Sequence, residues 1–122
     1  MKFLNRVIRF EWMLVAAVAT ALFALIKGSW ALFALLVLAP DLSMLGYLAG
    51  PRVGAAAYNL FHILLWPALL ALAGLSAGNM LAVEIGLIWL VHISADRALS
   101  YGLKLPSGFQ DTHLGRIGRK ST

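Results

Sequence analysis

Residues 12–26 are apolar or small without a break, and three further stretches of the same character follow. A helix needs about 20 mostly apolar residues to cross the hydrocarbon core of a bilayer. The stretches that qualify are 7–26, closed by Lys27, Gly28 and Ser29; 30–50, with Pro40 and Asp41 near its middle; 55–75, followed by a turn at Ser76, Ala77 and Gly78; and 79–103, whose last turns run into the headgroups. Globular domains are roughly half apolar and a quarter charged, whereas this chain is 61% hydrophobic and 12% charged. The expected architecture is therefore an all-α, integral membrane four-helix bundle over residues 1–103, followed by a short irregular C-terminal tail over 104–122. The first apolar segment is too long for a cleaved leader and leads straight into another span. The chain has no cysteine, which excludes disulfides, thiolate metal sites and cysteine nucleophiles.

Basic residues set the orientation. Lys2, Arg6 and Arg9 precede the first span, Arg52 lies between the second and third, and Arg97, Lys104, Arg116, Arg119 and Lys120 sit at or beyond the end of the fourth. With four crossings these fall on one side and Lys27 alone on the other, which places both termini in the cytoplasm. The net charge of +5 is thus accounted for by topology and anionic lipid, not by nucleic acid.

An ionisable side chain at the centre of a bilayer costs roughly 3 kcal/mol or more when unpaired, so its presence points to function. At about 1.5 Å per residue, Asp41 lies roughly 13 Å inside the cytoplasmic end of its helix and His62 roughly 10 Å from the same surface. His92 and Asp96, four apart on one helical face, occupy the cytoplasmic half of the fourth span, and Glu11 the cytoplasmic start of the first. Tyr58 and Asn59 are the nearest polar neighbours of His62 in sequence. In the tail, Asp111 and His113 would point the same way in an extended segment and fold back over the bundle. The pooled candidate ligands are Asp41, His62, His92, Asp96, Asp111 and His113, with Glu11 or Tyr101 placed to assist proton transfer. Imidazole and carboxylate without thiolate suit zinc, iron or manganese, as one ion with an outer shell or as two ions sharing a carboxylate.

Three readings compete. A metal-dependent hydrolase acting on a lipid or amphiphile would use a metal-activated water. A small ion, proton or metal carrier would use the same groups and need a path through the bundle, for which Glu84 is the only hint. A structural subunit would need only hydrogen bonds between helices. The glycines at 46, 50, 54, 74 and 78 suit close helix packing, the four tryptophans suit lipid anchoring, and the thin wall of four helices suits a homodimer.

Pro40-Asp41-Leu42-Ser43-Met44-Leu45-Gly46-Tyr47, then Tyr58-Asn59-x-x-His62, then His92-x-x-x-Asp96-Arg97 and the run from Tyr101-Gly102-Leu103-Lys104 to Asp111-Thr112-His113-Leu114-Gly115 carry a resemblance. They look like the small bacterial membrane family catalogued as domain of unknown function 4260, which implies a multi-pass protein of the bacterial inner membrane and no particular activity. A weaker likeness, carried by Pro40-Asp41, His62, His92-x-x-x-Asp96, Gly102 and Pro106, is to LexA-regulated membrane-bound proteins described as metal-dependent hydrolases. That family usually has a closely spaced histidine pair where this chain has His62 alone.

Overall fold

The computed structural model describes residues 2–99 and, as backbone, 111–112 and 115–116. It is helical over nearly all of the first stretch. Helix α1 (Lys2–Leu25) is followed by α2 (Trp30–Leu36), a 3₁₀ segment (Ala39–Ala49), α3 (Pro51–Phe61), α4 (Leu65–Ala77) and α5 (Met80–Ala98). In the tail β1 (Asp111–Thr112) pairs antiparallel with β2 (Gly115–Arg116), so that stretch is not irregular throughout.

Two of the expected spans are each made of two pieces, and a proline accounts for both breaks. Proline has no N–H to donate, and its ring collides with the carbonyl four residues back. Pro40 therefore stops α2 at Leu36, and the chain continues as a 3₁₀ coil of 11 residues, although such runs seldom exceed a turn or so. Pro67 stands in the same relation to Ile63, and the helix is open over residues 62–64 between α3 and α4. Trp30–Ala49 and Pro51–Ala77 nevertheless remain long and apolar enough to cross a membrane, as does Lys2–Leu25.

Helix α5 runs through the middle, packed against α1 on one side and α4 on the other, while α3 folds against the 3₁₀ segment. Val83, Leu87, Ile88 and Val91 of α5 form the core with Ala19 and Phe23 of α1. Such central burial is why α5 tolerates Glu84, Asp96 and Arg97 in one helix. The outer surface is rich in leucine, including Leu35, Leu48 and Leu72, as hydrocarbon surroundings permit.

Glycine divides into two uses. A side chain on Gly46 would meet the Ala57 Cβ at 2.9 Å, and one on Gly86 would meet the Ala71 amide nitrogen and the Pro67 carbonyl, both at 2.9 Å. These positions, with Gly54 beneath the Tyr47 ring and Gly74 against Ala82, set helix separations. Gly50 and Gly78 do not: nothing lies near them, and they supply positive φ values of 113° and 70° at turns. Polar side chains finish the helix ends. Ser29 and Asn79 cap α2 and α5 by accepting from Leu32 and Ala82, and the Glu84 carboxylate accepts the Ser29 N–H at 2.7 Å. At the other end of α5, Arg9 Nε donates to the Ala98 carbonyl at 2.8 Å.

Candidate metal centre

Both breaks lie beside the same polar cluster. Asp41 is in the first turn of the 3₁₀ segment, one residue after Pro40. His62 is the residue at which α3 ends. His92 and Asp96 come from successive turns of α5. Their ligand atoms all lie within 4.8 Å of one another. His62 Nε2 is 3.1 Å from Asp41 Oδ1 and 3.6 Å from Asp96 Oδ2. His92 Nε2 is 3.0 Å from Asp41 Oδ1 and 3.2 Å from Asp96 Oδ2, and the two Nε2 atoms are 3.1 Å apart.

The open backbone at residues 62–64 does more than turn the chain. It frees carbonyls that must find donors in a buried setting. The Trp89 indole N–H donates to Phe61 O at 2.7 Å, and Arg97 donates to His62 O at 3.0 Å, so α5 supplies both donors. The Arg97 guanidinium is in turn held over the Trp12 ring, 5.7 Å from its centroid. Trp89 and Trp12 thus have packing partners inside the bundle as well as any contact with lipid.

The same geometry orients the imidazoles. His62 Nδ1 is 2.7 Å from the Tyr58 carbonyl oxygen. A carbonyl can only accept, so Nδ1 carries a proton, and in the neutral ring Nε2 presents its lone pair to the cluster. The ring also stacks on Tyr58, with centroids 3.7 Å apart and planes 8° from parallel. His92 Nε2 is turned to the same cluster, 3.0 Å from Asp41 Oδ1 and 3.2 Å from Asp96 Oδ2. Ligating histidines characteristically anchor the second nitrogen as His62 does.

What collects in the centre is acceptor density. Two carboxylates and two imidazoles converge there, and any one hydrogen bond joins only a pair of them. A cation bridges all of them. A tetrahedral ion with bonds of about 2.0–2.2 Å needs ligand atoms about 3.3–3.6 Å apart. The five separations given above, 3.0–3.6 Å, suit such an ion after shifts of a few tenths of an ångström. The four groups could hold one ion between them. The histidines are buried, at 2% and 4% exposure, while the Asp41 side chain is 35% exposed and that of Asp96 18%. The cluster therefore opens on the Asp41 side.

Of the residues singled out in the sequence, Asp41, His62, His92 and Asp96 come together. Glu11 is exposed on α1 and is not part of the group. Asp111 is on β1, where only backbone is described, and Tyr101 and His113 lie outside the described residues. Glu84 is engaged with Ser29 at the far end of α5. The roles of Arg97 and Trp89 as carbonyl donors went unread in the sequence. Their signal was Pro67, five residues after His62, which implies orphaned carbonyls in a segment otherwise read as one helix.

The family model described as Domain of unknown function (DUF4260) matches residues 5–117. No curated protein and no solved structure matches the chain. The likeness to the LexA-regulated proteins is not shown by these comparisons.

Proposed function

The chain belongs to the family described as Domain of unknown function (DUF4260), and we propose that it is a membrane-embedded, metal-dependent hydrolase acting on a lipid or other amphiphile. The observation that carries this reading is the convergence of Asp41, His62, His92 and Asp96, whose ligand atoms all lie within 4.8 Å of one another among apolar helices. Its resident ion would be one divalent transition metal, zinc, iron or manganese. Such an ion ionises a bound water near neutral pH and polarises a phosphoryl or acyl oxygen.

The chain's own residues would do the rest. His62, anchored through its second nitrogen, and the buried His92 would set the position of the centre. Asp96 would be the third ligand and leave the fourth position to water, and Asp41, on the open side, would accept that water's proton. As the water oxygen bonds to the acyl carbon or phosphorus, the ester bond breaks and that proton passes to the leaving alkoxide. Asp111 and His113 would complete the outer shell from the tail, with Tyr101 or Glu11 assisting proton transfer. The basic residues would hold both termini on the cytoplasmic side of a bacterial inner membrane, with lipid as the surrounding partner, and two copies would thicken the wall around the site.

The test is turnover of amphiphilic esters and phosphodiesters in mixed micelles by metal-loaded protein. Activity lost on chelation, restored by metal and absent in His92→Ala is expected. Turnover that survives chelation or His92→Ala would overturn the reading.

A second reading has an observation of its own. Two spans interrupted by proline meet at the cluster, as discontinuous helices do at the ion sites of transporters. Glu84 no longer marks a path, because it accepts the Ser29 N–H. Uptake of manganese or zinc into proteoliposomes, abolished by Asp41→Asn, would favour a carrier over a hydrolase.

A further inference from the structure

Beside the cluster lies a cavity of about 190 Å³. Ala39 and Pro40 form one wall, Phe61 another, and Ile85, Ile88 and Trp89 of α5 a third. Every wall is continuous with a candidate ligand: Pro40 precedes Asp41, Phe61 precedes His62, and Ile88 is one turn before His92. The two polar groups in this lining cancel each other, since the Trp89 N–H is bonded to the Phe61 carbonyl. What remains is predominantly apolar surface. Resting on the hydrolase reading above, we propose that this cavity is the subsite for one alkyl chain of the substrate, whose polar head reaches the Asp41 side of the centre.

The order of groups along α5 supports that orientation. From Asp96 through His92 to Ile88 and Ile85, the helix passes from carboxylate to imidazole to aliphatic surface. At about 1.5 Å per residue this covers roughly 16 Å, the same polar-to-apolar sequence that a lipid presents along its length. Size limits the occupant. An apolar cavity of about 150 Å³ holds one benzene molecule, so about 190 Å³ takes a single unbranched stretch of about six to eight carbons. A sterol or a branched chain would not fit without displacing Ile88, which is buried in the core.

The test uses cobalt(II)-loaded protein and a series of straight-chain alkyl hydroxamic acids, whose heads bind the ion and change its visible bands. At one fixed detergent concentration, affinity is expected to rise at least tenfold from acetohydroxamate to octanohydroxamate and then level off. In Ile85→Trp and Ala39→Phe, which fill the cavity from opposite walls, acetohydroxamate should bind as before and the preference for the octanoyl chain should vanish. Micelle partitioning is common to all three proteins and cancels in the comparison. A preference that survives both fillings, or that rises steadily to the dodecanoyl chain in the unaltered protein, would place the tail in detergent and overturn the proposal. Failure of the parent reading looks different: either cobalt does not bind and no bands appear, or the loaded protein binds the series and turns over none of the esters.

Discussion

Gly86→Ala should weaken metal binding although Gly86 touches no ligand. The added Cβ would lie 2.9 Å from the Ala71 Cβ, the Ala71 amide nitrogen and the Pro67 carbonyl oxygen. Two of these are backbone atoms, so the clash cannot be relieved by a side-chain rotation. Ordinary contact is about 3.5–4.0 Å, which forces the start of α4 away from α5 by roughly 0.5–1 Å. Overpacking of this kind typically costs about 1–3 kcal/mol. Pro67 lies in the first turn of α4, the helix that follows His62, whereas His92 is fixed in α5, so much of the displacement falls on the distance between their Nε2 atoms, now 3.1 Å. A loss of about 1.4 kcal/mol in ion binding corresponds to tenfold in affinity, and about tenfold weaker binding is expected in a competition titration against a chromophoric chelator. Gly74→Ala is the control. Its Cβ would meet the Ala82 Cβ at 2.7 Å and Asn79 O and Val83 N at 2.9 Å, a clash at least as severe at the other end of α4. It should lower thermal stability comparably and leave metal affinity within about twofold. Equal losses of affinity in the two variants, or none in Gly86→Ala despite reduced stability, would refute the coupling.

Three further outcomes follow from the same geometry. Arg97→Gln leaves the His62 carbonyl short of its donor, which should cost about 1–3 kcal/mol; a lowered melting temperature together with weaker metal binding, read by thermal shift and chelator competition, is expected. Pro67→Ala lets the helix close over residues 62–64 and turns His62 out of register; metal content by elemental analysis should fall while helical circular dichroism is kept or rises. Metal affinity should decline as pH is lowered through the range where imidazoles protonate, by up to about two protons per ion, because only neutral histidine ligates; flat affinity between pH 8 and about pH 5.5 would argue against histidine ligands.

Much of this was legible in the sequence because bilayer thickness is a ruler. Apolar length marked Lys2–Leu25, Trp30–Ala49 and Pro51–Ala77 as long enough to cross, though not α5, and counting residues inward from the turns put Asp41, His62, His92 and Asp96 in one layer. What counting does not supply is the backbone between. Pro40 beside Asp41 was readable as a kink, yet the 3₁₀ coil that follows depends on how Gly46 and Tyr47 seat against Ala57 and Gly54. Pro67 lies in so apolar a run that periodicity ran straight past it, and the break at His62 was missed with it. Glycines were read alike, although Gly50 and Gly78 serve turns while Gly46, Gly54 and Gly74 serve contacts. That difference is one of φ and of neighbours, neither of which composition encodes. Glu84 was read as a pathway residue because its partner, the Ser29 amide, is 55 residues away along the chain.

X-ray absorption at the metal edge of purified protein tests the central claim most directly. The account expects one ion per chain, with a first shell of about four nitrogen and oxygen atoms at about 2.0–2.2 Å and outer-shell scattering from two imidazole rings that is lost stepwise in His62→Ala and His92→Ala. Protein that takes up no transition metal, or a bound ion with a water-like shell and no imidazole scattering, would contradict it.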